Sequence, residues 1–356
     1  MAALNSIVSN GVATGATYLK FNSGNTNINM DKMVSGNTTI EPKERVLGSN
    51  VPRFTSCTDN ELVAVLQGYY NNTIPIEDIK ATWHVGDTRT VHLSAMEALQ
   101  GEHDTIESHR EQDVDIVLIG FNHDELAQPI NGHTTALITV QLKDVLLDQA
   151  HAGHNTPEYY DGSTNTENGY ICETNTDYKL FNETLRNTWL EFSFISALPQ
   201  TLQACVKSVN KKMLGVDGSE LLQWDHSCPA FLLSLTEIYG GQGIPFITPI
   251  GGYTAYANEG EQYEHFVTPL NPEEGGGRNS AQNQCKYPLW YDPSIYLEPQ
   301  HSIPWWTRSM NICYRSYGGT SYEYYVDNWY TAGMLDSTVE IHAGDFHCGI
   351  SPAWCM

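Results

Sequence analysis

Val114-Asp115-Ile116-Val117-Leu118-Ile119-Gly120-Phe121 is the stretch on which the fold class turns. Nearly every position is apolar and most of those are β-branched or aromatic, the composition of a strand covered on both faces. Residues 134–140 (TTALITV) repeat the pattern, so central strands of a sheet are expected here. Between the two runs lie His123, Asp124 and Glu125, with His133 close by. These are metal-ligand types, but a closed site needs a second ligand pair. A loop histidine hydrogen-bonded to backbone is the simpler reading.

Toward the amino terminus, Trp83-His84-Val85-Gly86-Asp87 opens a strand-like stretch in which Val91 and Leu93 alternate with polar neighbours, as in a half-buried hairpin. Before it, Thr58-Asp59-Asn60-Glu61 has capping-box spacing, and Leu62, Val65, Leu66 and Tyr69 share one helical face. A short helix ending near Asn71 is expected. Residues 1–55 are rich in Asn, Ser, Thr and Gly and carry no long apolar period, so they cannot build a core of their own. A flexible tail and an arm that orders against a neighbouring subunit both fit that composition.

Toward the carboxy terminus, Asn182 is placed to cap a helix burying Leu185, Trp189 and Phe192. Pro199 marks a break. A second helix is expected to carry Leu202, Cys205, Val206, Val209 and Met213 on one stripe, to gather Lys207, Lys211 and Lys212 near its end and to stop at Gly215. Two packed helices covering a sheet follow from this reading. Residues 231–235 (FLLSL) resume strand character, and residues 240–304 form a long stretch dominated by Gly, Pro, Tyr and Trp. Short strands are expected at 305–314, 324–330 and 346–352.

The formal charge is −24, from 42 acidic and 18 basic residues. Binding a phosphate backbone needs Lys and Arg to displace counterions, so nucleic acid is disfavoured as a partner, and the acidity reads as colloidal solubility. Residues 1–20 have no basic n-region and no continuous apolar stretch, so neither a signal peptide nor membrane insertion is expected. The eight cysteines include no C-x-x-C pair, which removes the strong zinc and thioredoxin patterns. Most are expected as buried small hydrophobes. Pairing of Cys348 or Cys355 with Cys313 in an oxidising setting stays open.

Several short motifs occur in a fixed order: Trp83-His84-Val85-Gly86-Asp87, the IVLIGFNHD run, Leu185-Arg186-Asn187-Thr188-Trp189-Leu190, Ala230 through Glu237 (AFLLSLTE), Trp306-Thr307-Arg308-Ser309 and Gly349-Ile350-Ser351-Pro352-Ala353. Over residues 80–356 this resembles a family of domains of unknown function found in phage structural proteins and bacterial surface proteins. Its usual forms are W-x-V-G-D, L-R-x-W-L, F-L-L-S-x-x-E, W-L-R-S and G-V-R-P-A. The closing motifs also look like the end of C-type-lectin-like folds, formylglycine-generating-enzyme-like domains and phage receptor-binding variable proteins.

The resemblance implies an α+β fold: a C-type-lectin-like domain over 56–356 with small twisted antiparallel sheets, two packed helices and long loops, preceded by an extended arm over 1–55. Two positions depart from the pattern. Ser351 stands where G-V-R-P-A has Arg, and Thr307 where W-L-R-S has Leu. Any ion pair made by the missing Arg must be absent or replaced. Arg308, flanked by Trp305, Trp306 and Met310, is expected to carry a hydrogen-bond network beneath the loops, because its planar fork serves several acceptors at once. Trp306, Arg308 and Pro352 are therefore the expected structural residues.

Catalysis needs convergent groups, and no G-x-S-x-G, H-E-x-x-H, P-loop or dinucleotide fingerprint occurs. The run Gly275-Gly276-Gly277-Arg278 reads as a loop, and Cys313 with Cys348 are the candidates for formylglycine-type chemistry. No enzyme activity, metal or cofactor is expected. The stretch 314–330 is instead rich in Tyr, Ser, Gly and Asn, the composition of adaptable binding surfaces. Tyr314, Tyr317, Tyr322, Tyr324, Asn328, Trp329 and Tyr330 are the expected ligand contacts. Aromatic faces of this kind suit a host glycan or a protein receptor. The alternative is that alternate members form a buried sheet face.

The functional expectation is a bacteriophage virion protein, a tail-fibre, tail-tip or head-fibre adhesin contacting the host surface through Tyr-rich loops. The arm would hold other virion proteins, and a homotrimer is expected by analogy with such adhesins. A capsid decoration or tail connector, and an enzyme acting on envelope glycans, are the alternatives.

Overall fold

The computed structural model describes residues 33–35, 38–40, 51–100, 105–106, 108–147, 185–217, 220–240, 259–267, 286, 305–317, 321–332 and 349–356. The chain divides into two compact units, Met1–Val51 and Pro52–Met356. In the first, Met33–Ser35 pairs antiparallel with Thr38–Ile40. The second begins at Pro52, four residues before the start at 56 expected from sequence: Phe54 is fully buried and packs edge-on against Trp83 at 5.4 Å between ring centroids. The Trp83 indole also donates to the Pro52 carbonyl at 2.7 Å, so the residues just before 56 belong to the domain's core.

The domain is α+β. Its central five-stranded sheet runs in the order Ala230–Phe231, Ala353–Cys355, Ile138–Leu142, Gln112–Phe121, Thr88–Leu93. The two apolar runs read from sequence are its middle: Ile138–Leu142 is buried throughout, and the strand over Gln112–Phe121 is buried from Ile116 to Gly120. Thr88–Leu93 lies at the edge and alternates, with Val91 and Leu93 inward, as a strand wetted on one face should. A four-stranded sheet orders Glu220–Cys228, Val209–Asp217, Glu125–Ile130 and His133–Thr135, and another orders Leu146–Leu147, Gly349–Ile350, Trp305–Tyr317 and Ser321–Ala332. Among the described strands every pairing is antiparallel except Trp305 beside Gly349.

The helix Asp59–Tyr70 starts at Thr58 with both halves of the capping box made. Leu185–Trp189, Leu190–Phe194 and Ile195–Ala197 follow one another as α, π and α turns. The π turn corrects one expectation. A wider turn replaces an i+3 or i+4 step by i+5, so Trp189, Leu190 and Phe194 are buried while Phe192 is 69% exposed.

The expected second helix is also corrected. Only Gln200–Gln203 is helical, and Val209–Asp217 is a strand paired residue for residue with Glu220–Cys228. Val209, Lys211 and Met213 point inward while Lys212 is exposed, a period of two rather than 3.6. Strand character in FLLSL stops at Phe231, because Ser234 and Glu237 form a capping box that starts the helix Leu235–Tyr239. The short strand expected over 346–352 is split: Gly349–Ile350 and Ala353–Cys355 join different sheets around Pro352. Among the described residues no helix is long and apolar enough to cross a membrane.

Candidate functional site

Where the sheets meet, charged side chains from distant parts of the chain converge in the core. Asp124 is delivered by a bulge. Leu118 faces Val140 and Gly120 faces Thr139, so Ile119 is an extra residue in its strand. The chain then turns through Asn122 at φ 49°, a left-handed conformation that Asn tolerates. A Cβ at Gly120 would lie 3.0 Å from the Tyr263 ring, so any larger residue at the bulge would press on that ring.

Lys211 enters from the strand Val209–Asp217, and Glu237 from the first turn of the Leu235–Tyr239 helix. Arg308 comes from a second irregularity. Trp306 faces Thr331 and Met310 faces Trp329, so residues 307–309 leave the ladder. They dock instead on residues 233–235: the Arg308 amide donates to the Leu233 carbonyl at 3.0 Å, and the Leu235 amide donates to Ser309 Oγ at 2.9 Å.

Asp124, Lys211, Glu237 and Arg308 are all buried. Lys211 Nζ lies 2.6 Å from Asp124 Oδ1 and 2.5 Å from Glu237 Oε1. Arg308 Nη1 donates to Glu237 Oε2 at 2.6 Å. Nη1 also donates to the Leu232 carbonyl, Nε to that of Lys212 and Nη2 to that of Glu259. Tyr263 Oη lies 2.9 Å from both Asp124 oxygens, and Thr139 Oγ1 and Cys355 Sγ bond Asp124 Oδ2. Ser309 Oγ bonds the Glu259 carboxylate. Lys211 Nζ also stands 4.1 Å from the Phe231 ring centroid.

Burial by itself would raise both carboxyl pKa values, but the paired cations outweigh it. Asp124 is held well below the ordinary range by Lys211 and His123, and Glu237 is lowered by Arg308 and Lys211. Burial would likewise lower the Lys211 ammonium, and Asp124 and Glu237 reverse that. Burial, reinforced by the Asp124 charge, pushes the Tyr263 hydroxyl and the Cys355 thiol well above their usual values. The charges therefore serve one another in the dry core. Among the described residues no group of three or more His, Cys, Asp or Glu is placed to hold a metal.

His123 stacks on Tyr263 at 3.7 Å and its Nε2 lies 3.0 Å from the Glu261 carbonyl. Trp306, Arg308 and Pro352 are all buried, and the Pro352 carbonyl accepts from the Leu142 amide at 3.0 Å. At the position where the family pattern has Arg, Ser351 donates to the Leu142 carbonyl at 3.0 Å.

The expected ligand contacts fall on one antiparallel hairpin, Trp305–Tyr317 with Ser321–Ala332, rather than on loops. Tyr314 is opposite Tyr324, Ser316 opposite Tyr322, Tyr317 opposite Ser321, Asn311 opposite Asn328 and Met310 opposite Trp329. Tyr330 follows beside the bulge. The side chains of this outer part of the hairpin, those of Cys313 and Cys348, and the Gly275–Arg278 run lie outside the described residues. Cys57, Cys205, Cys228 and Cys355 are free thiols.

Sequence reading passed over Lys211, Glu237 and Tyr263 as functional groups and weighed Asp124 only as a metal ligand. One cue was present: Ser234-x-x-Glu237 has capping-box spacing. A family model described as Domain of unknown function (DUF6273) matches residues 159–356. No curated protein and no solved structure matches the chain. Lys211, Glu237, Arg308 and Cys355 lie inside the matched residues, whereas Asp124 and Thr139 precede them.

Proposed function

The chain belongs to the family described as Domain of unknown function (DUF6273), and we propose that it is a non-enzymatic recognition domain displayed on a bacteriophage virion. In this reading Pro52–Met356 is a C-type-lectin-like scaffold, and the hairpin over Trp305–Ala332 presents Tyr314, Tyr317, Tyr322, Tyr324, Asn328, Trp329 and Tyr330 to a host glycan or protein. The residues before Pro52 hold other virion proteins, and the assembly is a homotrimer.

The observation that carries the reading is the rooting of the hairpin. Its inner end, residues 305–309, is buried, and Arg308 is fixed there by Glu237 and the carbonyls of Lys212, Leu232 and Glu259. A binding surface gains affinity when it is held rigid before its ligand arrives, because less ordering remains to be done on contact. Tyr supplies large amphipathic area with few rotors, which suits recognition of sugar faces and protein surfaces. The charged groups in the core are engaged with each other and enclosed, which fits a load-carrying frame better than a site that must admit substrate.

The test is a titration of purified full-length protein on intact host bacteria. Saturable binding is expected, with Tyr322→Ala and Tyr324→Ala each weakening it by about tenfold at unchanged thermal midpoint. Binding confined to other virion proteins would instead identify a decoration or connector. Turnover of cell-wall or capsule glycan would replace the reading with an enzymatic one.

A further inference from the structure

We propose that Lys211 and Asp124 condense into an intramolecular amide, a covalent cross-link through the core in which Glu237 acts as the proton-transferring base. The inference is independent of the recognition reading and rests on the geometry around one amine.

Nζ of Lys211 sits 2.6 Å from Asp124 Oδ1 and 2.5 Å from Glu237 Oε1, with all three side chains buried. Reactants fixed at contact distance have already lost the freedom that a bimolecular amidation must give up. The surroundings are dry and aromatic: the Phe231 ring centroid is 4.1 Å from Nζ and the buried Tyr263 ring is 5.4 Å away. Such a site penalises separated charges and has no bulk water to reverse the reaction.

The two carboxylates differ in what else holds them. Glu237 is bound by the Arg308 guanidinium and by the Ser234 amide at 3.0 Å, so it stays a carboxylate and serves as base. Asp124 Oδ1 also faces His123 Nδ1 at 3.4 Å, whereas the partners of its Oδ2 are neutral donors, the hydroxyls of Tyr263 and Thr139 and the Cys355 thiol. Those donors are placed to stabilise negative charge that develops on Oδ2 when Nζ attacks Cγ.

The step balances without a co-reactant. Before it, the pair rests as ammonium and carboxylate. Glu237 relays one proton from Nζ to Oδ1, leaving the free amine beside a neutral carboxyl, and Nζ bonds to Cγ while Oδ2 carries the charge. Two protons in all pass from Nζ to Oδ1, one of them by way of Glu237, and the Cγ–Oδ1 bond breaks to release water. The product is a neutral secondary amide, and Glu237 ends as it began. The bond would join residues 87 apart in sequence, linking the segment before the family-matched residues to the matched domain. Like a disulfide, it would restrict the unfolded chain, in a protein whose described cysteines are free thiols.

Intact mass of the purified full-length chain under denaturing conditions tests this directly. The wild type is expected to be lighter than its sequence by one water, and proteolysis should release a branched peptide joining Lys211 to Asp124. Lys211→Arg and Glu237→Gln are expected at full mass. Asp124→Asn is expected to lose ammonia instead of water, since the carboxamide then supplies the leaving group. A wild-type chain at full sequence mass after incubation in the folded state overturns the proposal, as does a branched peptide that joins Lys211 to any other residue.

Discussion

The guanidinium of Arg308 meets the carboxylate of Glu237 at 2.6 Å with both side chains buried, and the same cation spans the carbonyls of Lys212, Leu232 and Glu259. One side chain thus ties the first turn of the Leu235–Tyr239 helix, the strand over Val209–Asp217 and the root of the Trp305–Ala332 hairpin. A planar fork with five N–H donors is suited to that task, and an ammonium is not.

Removing Arg308 takes away the guanidinium partner of Glu237 and strands the buried carbonyls of Lys212, Leu232 and Glu259. Arg308→Met is expected to destabilise the domain by about 3–5 kcal/mol, the usual cost of breaking a buried pair from one side. Arg308→Lys should recover only part of the loss. Urea unfolding measures both; a Met variant within about 1 kcal/mol of wild type would show that the carbonyls find other donors.

Gly260 has φ 122°, and a Cβ there would lie 2.9 Å from Glu237 Oε1. Gly260→Ala therefore combines a backbone conformation that L residues avoid with a displaced carboxylate. A loss on the order of 2 kcal/mol is expected in denaturant titration. If the variant matched wild type, the Glu237 side chain would have to be free to retreat.

Where each residue obeys the period of its element, the sequence was legible. The Thr58 capping box, the central strands and the alternation of Val91 with Leu93 all follow from local rules. Val209–Asp217 was misread because its inward positions include Lys211. A lysine counted as polar erases the alternation Val209, Lys211, Met213 and leaves an apparent helical stripe. The charge is inward only because Asp124 and Glu237 wait for it, and those residues are 87 and 26 positions away, beyond any window of local pattern. Phe192 was misplaced for a different reason, since nothing in its neighbours announces the π turn that rotates it outward.

Phe54 is fully buried against Trp83 although it lies in the segment whose composition suggests an arm. Phe54→Ala is expected to cost about 3–5 kcal/mol by leaving a cavity beside the indole. Deleting residues 1–50 should leave the thermal midpoint of the domain nearly unchanged, whereas deleting residues 1–57 should lower it by an amount comparable to the Ala variant. Equal midpoints for the two truncations would place the start of the core after Cys57.

His109 is buried, its backbone bridged to Met96 and its ring 5.6 Å from that of Trp189. Among the described residues no hydrogen-bond partner reaches its Nε2. Burial therefore lowers its pKa from 6.5 to about 4. Between those values the unfolded chain binds a proton that the folded chain refuses, so stability is fully present above pH 6.5, falls as the solution is acidified and levels off below about 4. The full span is worth on the order of 3 kcal/mol. His265, also lowered to about 4 by burial and by Lys286, acts in the same direction. Glu237, whose pKa is held below the carboxylate range, loses its share only at lower pH. Unfolding in urea at pH 7 and at about pH 5 thus isolates the histidines. In His109→Leu the difference between the two conditions should shrink by about 2 kcal/mol relative to wild type, and an unchanged difference would mean that His109 is protonated inside the folded core.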